Sequence, residues 1–388
     1  ILGTAAIAGD TIFVGSQDGL IHAYNAATGA EQWTYATKGG VWAAPLVVED
    51  IVTVGSRDGR FYALDAKSGA VRWSFASGAP IMMSAAYSER QHLVYIGAEN
   101  SQVFALDVHS GALRWQKQLA GQGFRAGWPV VADEAGLVVF RTMPAYYFGD
   151  LWAGSEGHFL DSLQGKSIPD EQAAIRRFLD EHPDHQTFHA LNAATGERAF
   201  VAPVLYVGGD NLPPAPPVLN TDGTLLVLYS TRQNYRVRAG ETWEARWSAD
   251  FGTMDLRDGT IAPVLLSNDD HGRIDGVWPF RLITDEGGVV TRAGTRVMQS
   301  EFEAAGGVDL ATGATFHLGI EYRNAQTPRY PSGGVTVYAS PPQFSRFPPD
   351  DAHFYLGAGV ANSPIVSAGG FLFWRLSGGA VIAIGGTS

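Results

Sequence analysis

Val52-Thr-Val-Gly-Ser-Arg-Asp-Gly59, followed by Tyr62-Ala-Leu-Asp65, Ser68-Gly69 and Trp73, decides the fold, because the same words stand on either side of it. Upstream are Thr11-Ile-Phe-Val-Gly-Ser-Gln-Asp-Gly19, His22-Ala-Tyr-Asn25, Thr28-Gly29 and Trp33; downstream are Leu93-Val-Tyr-Ile-Gly97, Phe104-Ala-Leu-Asp107, Ser110-Gly111 and Trp115. The tryptophans step by 40 and then 42 residues, the kind of period that belongs to repeat architectures. Weaker copies follow. His189-Ala-Leu-Asn192 leads to Thr195-Gly196 with Phe200 in the tryptophan slot, Met254-Asp255 leads to Asp258-Gly259, and Val308-Asp309 leads to Thr312-Gly313.

One copy reads as four short strands. Asp18-Gly19 and Asp58-Gly59 join alternating apolar runs as hairpins, since such turns need positive φ. The Ser/Thr-Gly pair marks a second turn before the last strand. Each copy opens on Ala44-Pro45, Trp128-Pro129, Ala215-Pro216, Trp278-Pro279 or Ser363-Pro364, with Ala85-Ala86 in the third copy and Thr4-Ala-Ala-Ile7 in the first. Proline cannot donate to a ladder, so that strand is an edge or carries its proline at one end. Four-stranded units of this length arranged radially make an all-β β-propeller of antiparallel blades. The openings predict seven blades, at about 1–37, 39–77, 79–119, 125–204, 209–264, 275–319 and 358–388, in a single domain over 1–388. The last stops where its outer strand should begin, which predicts a closing strand from residues near or before Ile1. The alternative is eight blades, the extra one using Val335-Thr-Val-Tyr338.

Tyr/Phe-Ala-Leu-Asp, Ser/Thr-Gly and Trp in this order resemble the pyrroloquinoline-quinone (PQQ)-like repeat of quinoprotein dehydrogenases and of non-enzymatic propellers, closely over 1–119, in outline over 120–319, and within 320–388 only through 359–384. The resemblance implies that Trp33, Trp73, Trp115 and Phe200 dock between neighbouring blades.

Two excursions interrupt the repeat. Blade four is about 43 residues too long, giving an insertion at 141–188 with one helix over 169–181. Pro169 suits its first turn, Asp170 and Glu171 favour the positive end of its dipole, and Pro183 follows its end. Ile175, Phe178 and Leu179 are expected to face the propeller. The second excursion is the connection 320–357. Tyr146, Tyr147, Phe148 and Trp152 in the first, and Tyr322, Arg323, Tyr330, Phe344 and Phe347 in the second, have the character of partner anchors.

The starts of the inner strands should converge at a channel mouth. Trp42, Met82, Met83, Arg125, Trp128, Asp275, Trp278, Arg281 and Asn362 fall there, where a planar ligand would stack on an indole while an arginine pairs with its carboxylates. The competing reading makes the indoles blade-packing residues and the polar groups the lining of a wet channel. The resemblance implies PQQ with Ca²⁺ as the ligand of such a mouth. Against it stand the absence of any cysteine and of a recognisable Glu–Asn–Asp metal set or catalytic base. His182-Pro-Asp-His185 and His189 have the composition of a metal cluster, yet Pro183 breaks the spacing and His189 sits in the slot that Tyr62 and Phe104 fill elsewhere. Asn268-Asp-Asp-His271 and Asp222-Gly223 lack the spacing of a calcium loop.

Composition narrows the class further. The 388 residues carry a formal charge of −12, with 17% charged residues and 47 glycines. No basic run suggests nucleic acid, and no apolar stretch approaches the ~18 residues of a membrane helix. Ile1 in place of Met fits a removed or missing leader. The expectation is thus an extracytoplasmic (periplasmic or cell-surface), non-enzymatic scaffold with no cofactor or metal, recognising protein partners through its insertion loops. The alternative is a PQQ-dependent oxidoreductase acting on an alcohol or sugar; a hydrolase or lyase ranks below both.

Overall fold

The computed structural model describes residues 3–121, 123–143, 159–163, 166–205, 214–229, 250–265, 289–300, 305–309, 315–322, 335–340, 366–368, 371–375 and 381–385. The chain divides into two compact units, the first Ile1–Val227 with Thr253–Ala262, the second Leu228–Gly252 with Pro263–Ser388.

The first four sheets show how the repeat folds. Strands β1 (Ala6–Ala8), β2 (Thr11–Gly15), β3 (Leu20–Asn25) and β4 (Glu31–Ala36) form the first, in chain order and antiparallel. The second is β5 (Leu46–Val48), β6 (Ile51–Gly55), β7 (Arg60–Asp65) and β8 (Val71–Ala76). The third is β9 (Ala86–Ser88), β10 (Leu93–Gly97), β11 (Gln102–Asp107) and β12 (Leu113–Gln118). The fourth is β13 (Val130–Ala132), β14 (Leu137–Arg141), β15 (Phe188–Asn192) and β16 (Arg198–Val201). This is a β-propeller fold. Its prolines behave as the ladder demands: Pro45 and Pro129 stand immediately before β5 and β13, where no donor is lost.

Each word of the repeat has a physical task. In Tyr62-Ala-Leu-Asp65, Ala63 is fully buried and lies directly opposite Trp73 across the ladder, and Ala23, Ala105 and Ala190 face Trp33, Trp115 and Phe200 in the same way. A β-bulge follows at every one of these alanines, which re-aims the rest of the strand. Asp65 then closes the turn: its Oδ1 accepts from the Ser68 N–H at 2.8 Å and from the Ser68 hydroxyl at 2.7 Å. Asn25 and Asp107 repeat both bonds, and Asn192 repeats the first. Gly69, at φ +71°, takes the left-handed position that ends the turn.

The aromatic of the outer strand then reaches the next sheet. The Nε1 of Trp33 donates to the Ala66 carbonyl at 3.0 Å, that of Trp73 to Val108 at 2.9 Å, and that of Trp115 to Ala193 at 2.9 Å. Each ring lies on the turn glycine. A Cβ on Gly69, Gly111, Gly196 or Gly259 would meet Trp33, Trp73, Trp115 or Phe200 at 2.7, 2.6, 2.7 and 2.5 Å. Between the sheets lie continuous apolar clusters, such as Ile51, Phe61, Val94, Ile96, Phe104 and Leu106 between the second and third.

The insertion leaves β14 and returns at β15. Its helix α1 (Ile168–Glu181) has Ser167 as its cap, whose Oγ accepts from the Asp170 N–H at 3.3 Å. Ile175, Phe178 and Leu179 are buried as their spacing predicts.

The fifth sheet is β17 (Val218–Leu219), β18 (Leu225–Tyr229), β19 (Asp250–Met254) and β20 (Ile261–Leu265). The sixth is β21 (Val289–Ala293), β22 (Arg296–Ser300), β23 (Ala305–Asp309), β24 (Thr315–Tyr322) and β25 (Val335–Ser340). Its first described strand therefore stands ten residues beyond Trp278-Pro279, which lie outside the described residues. The segment Val335-Thr-Val-Tyr338 pairs with β24 as a fifth strand, so it extends the sixth sheet instead of opening another. The seventh sheet is β26 (Val366–Ala368), β27 (Phe371–Arg375) and β28 (Val381–Gly385), with no fourth strand among the described residues. The strand expected to close a ring against it is not among the described elements.

Candidate inner rim

The connections leading into the inner strands of the first unit converge. Val41, Ile81 and Phe124 occupy one repeated position, each pressed on the glycine that ends a second strand: a Cβ on Gly15, Gly55 or Gly97 would lie 2.3, 2.2 or 2.5 Å from them. The next residue in each connection is Trp42, Met82 and Arg125. Neighbouring connections are tied together. The Ala44 N–H donates to the Ser84 hydroxyl at 2.9 Å, the Ser84 N–H donates to the Gly127 carbonyl at 2.9 Å, and Gly127 faces the Pro216 ring.

This places three of the expected residues on one rim with different exposure. Arg125 is open, its side chain 61% exposed, with Glu99 Oε1 at 3.7 Å from its Nε. Trp42 is half-buried, and the Arg57 guanidinium lies over its ring at 4.7 Å. Sequence reasoning did not pair Arg57 with Trp42; a cation two residues after the end of the next second strand was the available signal. Trp128 is half-buried one step along the same connection.

Met82 and Met83 depart from expectation. Both are buried, and Met83 is 1% exposed within the cluster of Tyr95, Phe124 and Phe140. The rim position after Ile81 belongs to Met82, and the following side chain turns into the core. Asp275, Trp278, Arg281 and Asn362 lie outside the described residues, as do Tyr146, Tyr147, Phe148, Trp152, Arg323, Tyr330, Phe344 and Phe347; Tyr322 ends β24.

The described rim therefore presents one indole already stacked by an arginine and one open guanidinium. Among the described residues no group of three or more His, Cys, Asp or Glu is placed to hold a metal ion. What the rim does offer is charge-assisted bonding to a carboxylate through Arg125, beside apolar ring surface.

The histidines of the insertion separate in the same way. His182 and His185 pack edge-on at 5.7 Å between ring centroids and both contact Phe178, while His189 is buried on β15 with its Nε2 3.1 Å from the Thr142 Oγ1. His189 thus fills the slot of Tyr62 and Phe104 as a packed core residue.

A family model described as outer membrane protein assembly factor BamB, of the PQQ-like repeat type, matches residues 2–202, more than half of the chain. The chain belongs to that family. No curated protein matches it. Among solved structures, the BamB-like chain is similar to BamB from Moraxella catarrhalis, at 15% identity over 98% of this chain and 82% of that one, with a TM-score of 0.48. It is also similar to the computationally designed Ika8 protein, at 11% identity over 98% of this chain and 95% of that one, with a TM-score of 0.50. For Ika8, whose TM-score reaches 0.50, the likeness at this identity concerns the fold alone. Among the described residues no helix of the BamB-like chain is long and apolar enough to cross a membrane.

Proposed function

We propose that the chain is a non-enzymatic binding propeller of the cell envelope, acting as a scaffold subunit of a larger protein assembly. The observation that carries this reading is its membership of the BamB-like family over residues 2–202. The inner rim supports it chemically. Arg125 is an exposed guanidinium on a tied connection, and Trp42 with Arg57 is a ring and cation stacked beforehand, so an acidic or aromatic segment of a partner meets groups that lose little freedom on binding. The insertion 141–188 and the connection 320–357 are proposed as further partner-binding loops.

Photo-crosslinkers placed at Arg125 and, as a control, at the exposed Ala194 on a β-turn test the reading in envelope extracts. A discrete partner that crosslinks from position 125 and not from 194 is expected. Arg125→Glu should weaken capture of that partner about tenfold, as loss of a charge-assisted bond does. Equal labelling at both positions overturns the rim as the docking site. Titration with PQQ and Ca²⁺, followed by dye reduction on an alcohol and sugar panel, tests the oxidoreductase alternative; turnover would replace the scaffold reading.

A further inference from the structure

The insertion helix does more than cover its own sheet. Gln172, 4% exposed on α1, spends both ends of its side-chain amide on a single residue of the fifth sheet's outer strand. Its Nε2 donates to the Ile261 carbonyl at 2.6 Å, and its Oε1 accepts from the Ile261 N–H at 3.0 Å. These are the two bonds that a residue of an adjoining antiparallel strand exchanges at a hydrogen-bonded pair. One turn along, Arg176 donates to the Thr260 Oγ1 at 3.1 Å. The buried Ile175, Phe178 and Leu179 hold the helix in place beneath these contacts.

The strand that receives this cover differs from its counterparts. The outer strands β4, β8 and β12 carry Glu31 and Gln32, Arg72 and Ser74, and Arg114, Gln116, Lys117 and Gln118. The fifth sheet's β20 reads Ile261-Ala-Pro-Val-Leu265, with no charged or polar side chain. An uncharged apolar edge is the kind that recruits another strand, and charge is the usual protection. Pro263 has no N–H to offer two residues further along the same edge, and at Ile261 the edge offers both an N–H and a carbonyl, which Gln172 takes up.

We infer that α1 is an edge guard: it occupies the outer edge of β20 in place of a fifth strand, and its release lets that edge pair with β20 of a second copy of this chain. The pairing is self-complementary. Two copies related by a two-fold axis can set Ile261 against Ile261, each donating its N–H to the other's carbonyl, which is the pair of bonds Gln172 now supplies.

Gln172→Met tests this in the whole chain, because it keeps length and helix propensity while removing both amide bonds. Hydrogen exchange at the Ile261 amide should rise about tenfold, the effect of losing hydrogen bonds at a buried position. In analytical ultracentrifugation at ~100 μM the mass should shift from that of the unmutated chain to twice that value, a concentration at which micromolar pairing is populated. Adding Ala262→Lys, at an exposed position of β20, should return the mass to the unmutated value while exchange stays fast. Unchanged exchange, or fast exchange with unchanged mass, or a mass that Ala262→Lys fails to restore, each overturns the edge guard and leaves α1 a packing element. Should Gln172→Met lose the native far-UV spectrum, Gln172→Ala, which likewise removes both amide bonds, carries the same readouts.

Discussion

Gly111→Ala is expected to destabilise the chain by about 3–5 kcal/mol, whereas Gly29→Ala, at the equivalent turn of the first sheet, should cost about 1–2 kcal/mol. The two glycines share a backbone conformation, with φ +70° and +71°, so the left-handed penalty of an alanine is common to both. They differ in what sits above them. A Cβ at Gly111 would lie 2.6 Å from Cδ2 and Cε3 of Trp73, while nothing stands within 4 Å of a Cβ at Gly29. Trp73 has no easy retreat: it is 9% exposed, its Nε1 is bonded to the Val108 carbonyl, and its ring packs against Phe61 at 5.9 Å. Relief of the clash therefore means lifting a buried indole, which forfeits the hydrogen bond and the packing between two sheets. Urea denaturation followed by tryptophan fluorescence measures both. Equal losses at the two sites would show that the indole is not seated on the glycine and would remove the docking account of the repeat.

The repeat that announces the fold carries this contact only by halves. Trp33, Trp73, Trp115 and Phe200 are recognisable as inter-blade residues because their period matches that of the Tyr/Phe-Ala-Leu-Asp word. The role of the Ser/Thr-Gly pair reads locally as a turn, and nothing in one copy reveals that its glycine is also the seat for the tryptophan of the copy before. That information lies in the pairing of sheets, not in the order of residues. Gly15, Gly55 and Gly97 make the same point, since each looks like a strand terminus and in fact admits Val41, Ile81 or Phe124 against the backbone. The connections into the inner strands were legible from the repeat, their individual side chains less so. Met83 was expected there because adjacent residues entering a strand cannot be told apart by composition, and the register sends it into the core. The bond between Gln172 and Ile261 spans 89 residues and follows no period, so no sequence signal announces it.

The second large effect is a dependence on acid. His189→Phe should abolish a loss of stability that the unmutated chain shows between about pH 6.5 and pH 4. Burial first, and the Arg141 guanidinium second, push the His189 imidazole down from its ordinary 6.5 to about 4. The folded chain therefore keeps this ring neutral through a range in which the unfolded chain protonates it. Above pH 6.5 both states are neutral and the full stability is present. As pH falls towards 4 the unfolded state alone gains a proton, and stability declines by about 3 kcal/mol; below 4 both states are protonated and the slope from this group vanishes. The carboxylates act in a lower window. Hydrogen bonds from Arg257 hold Asp255 at about 2, and Arg72 with Ser68 holds Asp65 well below the ordinary 3.8, so their stabilisation is lost only as pH falls through the acid range beneath that of His189. Phenylalanine is the apt replacement because Phe104 fills the corresponding place in the third sheet, at the cost of the Thr142 contact, whose hydroxyl also donates to the Gln186 carbonyl at 3.3 Å. Urea midpoints measured from pH 8 to pH 4 should fall for the unmutated chain and stay level for His189→Phe. Parallel curves would mean that His189 takes its proton in the fold as readily as in water, and the packed, neutral imidazole on β15 would have to be abandoned.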